Sequence, residues 1–455
     1  MNHRLCPTIL REYDIRGTFG RNLGAADAAA VGRAFGTIVH GAGGSHIVVG
    51  RDGRLSSPTL EEALIEGLMQ AGIHVVRIGI GPSPMLYHAE RHGSVDGGIQ
   101  VTGSHNPADD NGFKMVLRNR PFFGRQIEAL AVLSEEGELA SGAGTVRKAD
   151  VLDEYVGLLL ASARDLPAFR IGWDAGNGAA GPAIEQLTAQ LPGEHHLLFT
   201  TVDGHFPNHH PDPTEDANLA ALRSLVEAEQ LDFGVAFDGD GDRIGVVDGQ
   251  GRTIAGDQLL SILAESTLRT IPGAAIVADV KASATLFDRI AQLGGRPVMW
   301  KSGHSNIKTM MHEVGAPLAG EMSGHIFFGE LGGHDDALYA AVALIRAVAE
   351  SGCALSDMRD ALPQSVATPE MRFAVDEDRR ETVVEEVLAR LAASGAQVDR
   401  TDGARVTTSD GWWLLRASNT QAMLTARAEA RDEEALARLV AAIDEQLAQS
   451  GVSRA

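Results

Sequence analysis

The chain carries a serine in the segment TGSHNP, in a setting that suits a nucleophile. An apolar stretch, Gly98 to Val101, predicts a strand that runs into this glycine-containing turn shortly before Ser104. Because α/β proteins bind ligands at the carboxyl ends of their strands, the Ser104 hydroxyl is a candidate to accept and donate a transferred group. The alternative is a serine that only caps the turn, and the hexapeptide by itself favours neither interpretation.

Two basic side chains accompany this serine. His105 is a candidate for proton transfer or for stabilising phosphate charge, although an isolated histidine is more often structural. Lys114, in the following NGFKMV, is a candidate phosphate clamp. The first segment therefore predicts a hydroxyl with positive charge nearby.

The segment DGDGDR indicates a cation site. An apolar strand leads into Asp238, Asp240 and Asp242, which alternate with glycines that permit a tight backbone curl. Carboxylate oxygens suit Mg²⁺, and three such charges repel strongly without a cation. A calcium-binding EF-hand loop is excluded, since it needs Gly and Glu where this chain has Arg243 and Gly249. A surface turn rich in Asp and Gly remains the alternative.

The cation site in turn predicts a phosphate. Mg²⁺ rarely sits in a cage made only of protein atoms and prefers waters and phosphate oxygens as its other ligands. Arg243 directly follows the third aspartate and is expected to hold that phosphate through two parallel hydrogen bonds. A phosphoryl group is therefore expected to complete the site.

Two further segments carry groups of the kind that recognise sugar hydroxyls. GEMSGH places Glu321, Ser323 and His325 in a short loop bounded by glycines. WKSGHSNIK adds Lys301 and His304 after a predicted strand. Carboxylate, hydroxyl and imidazole groups this close in sequence can face one ligand. Each motif alone is weak, because a capping serine and a satisfied histidine are ordinary alternatives.

The fifth segment, RASNTQ, lies between two predicted strands near the end of the chain. Arg416, Ser418, Asn419 and Thr420, with their backbone N–H groups, form a candidate phosphate cradle, and Arg427 on the next strand adds a second charge. A hairpin turn that contains asparagine explains the segment equally well. Taken together, the five segments predict a phosphotransfer site.

The composition predicts a globular protein of several domains. The chain has 455 residues, 44% hydrophobic residues and 52 glycines. Its formal net charge of -22 argues against a nucleic-acid partner, which would need a basic surface. Basic residues stand inside or beside the motifs instead, at Arg16, Lys114, Arg243, Lys281 and Arg416. Phosphate is therefore expected to be drawn to a cleft rather than to the whole surface.

Cysteine usage and hydropathy predict a cytoplasmic protein with no membrane partner. Cys6 and Cys353 are the two cysteines, and their spacing suggests neither a disulfide framework nor a zinc site. The first residues break into charges without an apolar stretch, and no later run approaches the ~20 apolar residues of a membrane span.

The order of predicted elements favours three related α/β domains and a smaller α+β domain. Three stretches, which begin at His46, Phe169 and Ala274, each read as a β-branched strand, a turn and an amphipathic helix. Gly72 and Gly294 are expected just after the ends of two of those helices. The last stretch mixes strands and helices without alternation. We expect mixed sheets around a central cleft, with domains at 1–148, 149–252, 253–366 and 367–455.

Together the segments resemble the α-D-phosphohexomutase superfamily, and within it the phosphomannomutase/phosphoglucomutase branch. The match runs nearly the whole chain in the family order: REYDIRG, GRDGRLSSP, TGSHNP, NGFKMV, DGDGDR, the Lys281 segment, GHSNIK, GEMSGHIFF and RASNT. An ordered set of this length is highly specific. The resemblance implies three α/β domains and a fourth α+β domain around a cleft, which agrees with the element order.

The resemblance also implies a mechanism. Ser104 would be carried as phosphoserine, and its phosphate with Asp238, Asp240 and Asp242 would bind Mg²⁺. The phosphoserine would pass its phosphoryl group to a hexose 1- or 6-phosphate and so form a hexose 1,6-bisphosphate. That intermediate would turn around and return its other phosphate to the serine. Glucose 1,6-bisphosphate is therefore the implied activator, and hexose phosphates are the implied ligands.

The remaining site residues follow from the same resemblance. Those implied to stabilise the transferring phosphoryl group are Arg16, His105, Lys114, Arg243 and Lys281. Those implied to contact the sugar or its second phosphate are Tyr13, His304, Glu321, Ser323, His325, Arg416, Ser418, Asn419, Thr420 and Arg427. Glu321 and Ser323 would read the O3 and O4 hydroxyls, which leaves the C2 epimers mannose and glucose unresolved.

The exact residues of two motifs favour the branch that accepts both mannose and glucose phosphates. TGSHNP and GEMSGH are typical of that branch, whereas phosphoglucosamine mutases usually carry TASHNP and a Gln before the serine of the sugar loop. One departure is visible, since Gln421 and Ala422 stand where relatives commonly have an acidic residue and Pro. At most a looser cradle is expected from this change.

Three rival functions stay open on the sequence. Phosphoglucosamine mutase is the nearest, and amino-sugar phosphate would separate it. A metal-dependent sugar phosphatase would also use the aspartates and would release inorganic phosphate. A sugar-phosphate-binding protein without turnover would keep the cradle but would not need a serine beside the metal. A monomer or weak dimer is expected.

Overall fold

The computed structural model describes residues 2–376, 378–418 and 423–454. These residues form four sheets, and helices pack against them. Three short 3₁₀ turns lie at Pro7–Ile9, Asp216–Leu219 and Gly329–Leu331. In the described part of the chain, no helix is both long and apolar enough to span a membrane.

The first sheet carries the serine segment at its centre. Its strand order is β1-β5-β4-β2-β3-β7, with β6 beside β5, and it mixes parallel and antiparallel pairs. Its elements are β1 (Ile15–Thr18), α1 (Ala25–Gly41), β2 (His46–Arg51), α2 (Ser57–Gln70), β3 (His74–Ile80), α3 (Ser83–His92), β4 (Gly97–Val101), β5 (Asp110–Leu117), β6 (Arg120–Pro121), α4 (Arg125–Glu136) and β7 (Val146–Lys148).

The second sheet has the order β12-β11-β10-β8-β9, and β10 delivers the aspartate segment. Strand β10 runs parallel to β8 and antiparallel to β11, so it lies inside the sheet. The elements are α5 (Leu152–Ser162), β8 (Phe169–Asp174), α6 (Gly181–Thr188), β9 (Gly193–Leu198), α7 (Ala220–Glu229), β10 (Phe233–Phe237), β11 (Ile244–Asp248) and β12 (Thr253–Ile254).

The third sheet has the order β14-β13-β15-β16-β17 and presents the GEMSGH turn between β15 and β16. At the β17 side of the sheet, the pairs β15 with β16 and β16 with β17 are antiparallel. The elements are α8 (Gly256–Thr270), β13 (Ala275–Asp279), α9 (Ala284–Gln292), β14 (Arg296–Trp300), α10 (His304–Val314), β15 (Leu318–Gly320), β16 (Ile326–Phe328), β17 (His334–Asp335), α11 (Ala337–Ser351) and α12 (Leu355–Asp360).

The fourth sheet is antiparallel, in the order β18-β23-β22-β21-β20 with β19 beside β23. Its elements are β18 (Val366–Ala367), β19 (Met371–Ala374), α13 (Arg380–Ser394), β20 (Gln397–Asp399), β21 (Ala404–Thr407), β22 (Gly411–Ala417), β23 (Met423–Ala430) and α14 (Glu433–Ala448). The predicted fold class is confirmed: three sheets are α/β and mixed or partly parallel, and the last domain is α+β.

Local sequence explains several element ends. Gly72 and Gly294 have φ of +87° and +78° and lie two residues beyond the last residues of α2 and α9, as the sequence predicts. Helix α9 begins where Ser283 Oγ accepts the Thr285 N–H at 3.0 Å. The predicted domain boundaries stay a prediction. Strand β12 pairs within the second sheet just past residue 252, and β18 starts at Val366 within the fourth sheet.

Most of the hydrophobic core of the fourth sheet is separate from the rest, although Trp412 and Leu414 of β22 pack on Val280 of the third domain. One continuous cluster joins residues of the first three sheets, among them Val48, Trp173 and Ile276. The fourth sheet has its own cluster, which includes Phe373 and Trp413. The loops at the ends of the first three sheets are therefore held on one packed body.

A buried carboxylate at the start of α11 predicts a pH-dependent stability. Asp336 accepts the Tyr339 N–H at 2.9 Å and the Tyr155 hydroxyl at 3.0 Å. Burial raises its pKa from 3.8 to about 7, against these two hydrogen bonds. Between those two pKa values the folded chain holds a proton that the unfolded chain has lost. Stability therefore falls as pH rises through this window.

Asp336→Asn is expected to remove this pH dependence, because asparagine cannot ionise and still has an oxygen for the Tyr339 N–H. From about pH 5 to about pH 8 the wild type should lose roughly 3 kcal/mol more stability than the variant. Thermal unfolding of both proteins at the two pH values measures the difference. Parallel pH dependence of the two Tm values would contradict the assignment.

Candidate active site

The serine loop follows β4 and turns sharply at Ser104. Ser104 has a φ of +49°, in the left-handed region that non-glycine residues rarely occupy. Its Oγ donates to Asp238 Oδ2 at 2.6 Å and lies 3.2 Å from His105 Nδ1. Its N–H donates to Thr102 Oγ1 at 2.8 Å, which stabilises the turn. The hydroxyl is therefore aimed at the aspartate loop of the second domain.

Arg54 binds the backbone of the serine loop, and it is not among the site residues predicted from the sequence. Its guanidinium donates to the carbonyls of Ser104 and Asn106, each at 2.7 Å, and pairs with Asp52 at 3.1 Å. A side chain at Gly103 would place a Cβ 2.4 Å from that guanidinium. The available signal was GRDGR, which spans the end of β2 and the turn after it, because β2 neighbours β4 and both strands end at the same edge.

The three aspartates converge as the sequence predicts. Asp238, Asp240 and Asp242 are at most 1% exposed, and one carboxylate oxygen from each lies within 4.8 Å of the others. Gly241, with a φ of +69°, permits the curl of the loop. Lys114 Nζ lies 2.7 Å from Asp240 Oδ2 and also contacts Asp242 Oδ2. Lys114 thus offsets charge in the aspartate cluster.

The donor set fits a divalent cation. The Oδ1 atoms of Asp240 and Asp242 are buried and accept no hydrogen bond from any described residue. Burial and the two neighbouring carboxylates raise the pKa of Asp238 well above its usual range. A carboxylate cluster with unsatisfied oxygens and such mutual repulsion is stabilised by a bound metal ion.

Basic side chains surround Ser104. Arg16 donates to Asn106 Oδ1 at 2.6 Å and to the Gly103 carbonyl at 3.2 Å, so it lies on the serine loop. Burial and the cations Arg243 and Arg16 lower the pKa of His105 well below its usual range. These surroundings therefore favour the neutral form of the His105 ring over the charged one.

The GEMSGH turn and the aspartate loop meet at His325. Arg243 Nε donates to His325 Nε2 at 3.0 Å, and His325 Nδ1 lies 2.9 Å from Asp335 Oδ2. Asp335 is fully buried, and Lys308 Nζ lies 2.6 Å from its Oδ1. Although burial opposes ionisation, Lys308 and His325 hold the pKa of Asp335 well below its usual range. Asp335 and Lys308 are not among the site residues predicted from the sequence.

Tyr13, His304 and Glu321 form the next part of the cleft. The His304 ring lies 5.6 Å from the Tyr13 ring and 5.8 Å from the His325 ring, between centroids. The Tyr13 hydroxyl donates to the Ser302 carbonyl at 2.8 Å. Glu321 Oε1 accepts the Gly303 N–H at 2.6 Å, so the two predicted sugar segments are joined. Ser323 is partly exposed in the same loop.

The predicted cradle reaches the third domain through Asp402. Arg416 Nε donates to Asp402 Oδ2 at 2.9 Å, and the same oxygen accepts the Ser302 N–H at 3.1 Å. Ser418 lies at the end of β22, and its carbonyl accepts from Arg380 at 2.7 Å. The predicted Asn419 and Thr420, and the departures Gln421 and Ala422, lie outside the described residues.

Arg427 and Lys281 meet each other at the border of the third and fourth domains. Arg427 Nη1 donates to the Lys281 carbonyl at 2.7 Å. The Lys281 ammonium lies 3.9 Å from Asp279 and 3.7 Å from Glu370. The serine loop, the aspartate loop and the two sugar segments are thus in direct contact. Asp402 connects Arg416 of the predicted cradle to them.

Fold and site together define a four-domain phosphotransfer enzyme, and comparison with known proteins gives its family. Models of phosphoglucomutase/phosphomannomutase alpha/beta/alpha domains I, II and III match residues 7–137, 153–251 and 255–366, and the model of the C-terminal domain matches 370–446. The chain therefore belongs to the phosphoglucomutase/phosphomannomutase family and is a phosphohexomutase.

The chain aligns with known members of this family over nearly its whole length. The chain is 42% identical to phosphomannomutase/phosphoglucomutase of Pseudomonas aeruginosa, over 97% of this chain and 95% of the relative. It is 40% identical to a phosphoglucomutase of Neisseria gonorrhoeae, over 95% of each. A crystal structure of a family protein from Burkholderia thailandensis superposes with a TM-score of 0.92, at 41% identity and 98% coverage of both chains.

Proposed function

We propose that the chain interconverts the 1-phosphates and 6-phosphates of mannose and glucose by passing a phosphoryl group through Ser104. The observation that carries this proposal is the 2.6 Å contact between Ser104 Oγ and Asp238, in a cluster that also holds Lys114. A phosphorylated Ser104 would add oxygens beside three carboxylates that fit a divalent cation. A protein that only binds sugar phosphates has no use for a hydroxyl at that position.

Magnesium is the proposed metal, held by Asp238, Asp240 and Asp242. When bound, it supplies positive charge that stabilises the transferring phosphoryl group. Lys114, Arg16 and Arg243 supply fixed positive charge around the same position. Phosphoryl transfer needs positioning and electrostatic stabilisation more than covalent chemistry, and this site is built mainly of those elements.

The first half-reaction breaks the P–O bond at Ser104 Oγ and forms a P–O bond to the free hydroxyl oxygen of the hexose phosphate. His325 is the proposed base for the hydroxyl proton. Its Nε2 accepts a hydrogen bond from Arg243, so the lone pair is at Nε2 and the proton is at Nδ1, 2.9 Å from Asp335. Nε2 is free to take the hydroxyl proton once the Arg243 guanidinium turns to the transferring phosphoryl group. The product of this step is the hexose 1,6-bisphosphate.

The second half-reaction uses the other phosphate of the same intermediate. After the bisphosphate turns around, the P–O bond to the sugar breaks, the phosphoryl group returns to Ser104 Oγ, and His325 returns the proton to the sugar oxygen. Arg416 and Ser418, with Asn419 and Thr420, are proposed to hold the phosphate that is not reacting. Glucose 1,6-bisphosphate would likewise phosphorylate a free Ser104 and so activate the enzyme.

Glu321 and Ser323 are proposed to bind the O3 and O4 hydroxyls, with Tyr13 and His304 beside the sugar. Recognition of these two hydroxyls does not involve C2, where mannose and glucose differ. The names of the relatives, which include phosphomannomutase/phosphoglucomutase and phosphoglucomutase, support both substrates. Lys281 and His105 are also proposed to act on the transferring phosphoryl group, and Arg427 to contact the sugar or its second phosphate.

A coupled assay tests this function. With Mg²⁺ and a trace of glucose 1,6-bisphosphate, mannose 1-phosphate and glucose 1-phosphate should both yield 6-phosphates, without release of inorganic phosphate. Faster turnover of glucosamine 1-phosphate would indicate a phosphoglucosamine mutase instead. Net release of inorganic phosphate would indicate a phosphatase.

Asp335→Asn tests the role of His325. Loss of the carboxylate leaves the Nδ1 proton without its ionic partner, so kcat is expected to fall about 10- to 100-fold while KM changes little. Asp335→Glu should recover part of the activity, because it restores a carboxylate beside Nδ1. An equal loss in kcat and in stability, with no recovery in Asp335→Glu, would indicate a purely structural residue.

A further inference from the structure

A cavity of about 900 Å³ lies at the junction of the first three domains, apart from the cleft described above. Its walls come from the β5–β6 turn, α3, α5, α8, α10, α11 and the loop that leads into β17. Lys308 is the last residue of WKSGHSNIK, and none of the other described lining residues belongs to the serine, aspartate, sugar or cradle segments. The cavity is therefore distinct from the cleft and shares one wall residue, Lys308, with it.

The cavity is basic although the chain carries a net charge of -22. Its lining includes four arginines and Lys308 but two carboxylates, Glu330 and Glu350. Arg118 donates to the Ala42 carbonyl, and Arg120 contacts His312. The other two arginines of the lining are Arg91 and Arg346.

Arg91 and Arg346 are the two lining arginines best placed to bind a ligand. Neither of them forms a hydrogen bond or ion pair with any residue that the structure describes. Arg91 is exposed at the rim and Arg346 is half-buried. A guanidinium offers several fixed donors that match a phosphate or carboxylate, so the two residues provide unused anion-binding capacity.

A buried histidine in the same wall also lacks partners. His334 is 3% exposed, and neither ring nitrogen has a hydrogen-bond partner among the described residues. Its ring stacks on Tyr87 at 4.5 Å between centroids, and Lys308 Nζ lies 4.4 Å from the centre of the same Tyr87 ring. Buried polar groups are normally satisfied, so an unpartnered imidazole in a cavity wall points to a missing ligand.

Part of the wall is apolar, between polar residues such as Ser266 and Thr267. Leu263, Met311, Ala316 and Phe328 line it, and the first of them is buried in the core of the third domain. Arginine donors beside such a surface suit a ligand with a charged head and an apolar or aromatic body. We propose that this cavity is a binding site for an organic anion, with Arg91 and Arg346 at the head group.

The site is connected to the catalytic cleft through one side chain. Lys308 lines the cavity and also pairs with Asp335, which in turn contacts His325. An anion near Lys308 competes with Asp335 for the same ammonium group. Occupancy of the cavity thus acts on the residue that orients His325.

The probe for this site is 8-anilinonaphthalene-1-sulfonate, an aromatic sulfonate, added to the full chain with the active site saturated by glucose 1,6-bisphosphate. Fluorescence titration should give one site per chain. The Arg91→Ala/Arg346→Ala double variant should bind at least about tenfold more weakly, because two charge-assisted contacts are lost. Arg91→Lys/Arg346→Lys should lose less affinity than the Ala/Ala variant, because it keeps both charges but not the planar pairs of donors.

A matched control removes equal charge elsewhere: Arg372→Ala/Arg431→Ala changes two exposed arginines of the fourth domain and should leave the affinity unchanged. Glu330→Gln should tighten binding, which tests the proposal even if the double variant folds poorly. Phenyl phosphate and benzoate as competitors identify the preferred head group, and displacement by either supports the site. Equal probe affinity in wild type and in both the Ala/Ala and Glu330→Gln variants would overturn it.

Discussion

Ser104→Ala is expected to lower mutase activity by at least about a thousandfold, the largest loss from any single substitution in this site. The hydroxyl is the proposed carrier of the phosphoryl group, and no other described hydroxyl donates to Asp238. The loop should stay folded, because Arg54 holds it through backbone carbonyls that the substitution leaves in place. The coupled assay with glucose 1-phosphate measures the loss.

Ser134→Ala is the matched control for that experiment. Ser134 is also buried, and its hydroxyl donates to the His3 carbonyl at 2.8 Å, outside the cleft. Its substitution should leave kcat within about twofold of wild type while lowering stability slightly. Full activity of Ser104→Ala would show that another group carries the phosphoryl transfer, and the aspartate loop would then be the first place to search.

Asp240→Asn is expected to lower mutase activity about a thousandfold at a fixed low concentration of Mg²⁺, a loss comparable to that of Ser104→Ala. Asp240 is fully buried between Lys114 and Ser83, whose Oγ donates to it at 2.5 Å. The amide keeps the shape of the side chain but has no charge for the cation. Removal of divalent ions with a chelator should abolish wild-type activity reversibly, and added Mg²⁺ should restore it.

The decisive readout is the Mg²⁺ concentration that gives half-maximal activity. It should rise at least about tenfold in Asp240→Asn and stay unchanged in Asp248→Asn. Asp248 is an equally buried carboxylate at the far end of β11, where it pairs with Arg252. Wild-type activity that survives complete chelation would contradict a metal-dependent transfer and leave Lys114, Arg16 and Arg243 as the charges that stabilise the transferring group.

Local rules predicted much of the fold. Gly72 and Gly294 mark helix ends because a left-handed residue after a helix favours glycine, and this preference depends on neighbouring residues alone. The same holds for the backbone of the aspartate loop, where glycines permit the curl that turns three carboxylates to one side, although the distant Lys114 offsets part of their charge. The alternation of strands and helices likewise indicated three α/β domains and one α+β domain before any contact was known.

Other features of the site depend on residues that are distant in sequence. Arg54 meets the serine loop some 50 residues away, and Asp402 joins Ser302 to Arg416 across about 100 residues. In the sequence Asp402 belongs to TDG, which is typical of an ordinary turn. Only the tertiary packing gives such residues a role. The same is true of Lys308 and Asp335, whose pairing requires α10 and β17 to lie against each other.

The measurement that tests the central claim most directly is phosphopeptide mapping after incubation with glucose 1,6-bisphosphate and Mg²⁺. The account predicts that the wild type gains one phosphoryl group, that the group is on the peptide containing Ser104, and that adding glucose 1-phosphate or mannose 1-phosphate discharges it. Ser104→Ala should gain none. A phosphoryl group on another residue, or one that the sugar phosphates cannot discharge, would contradict transfer through Ser104.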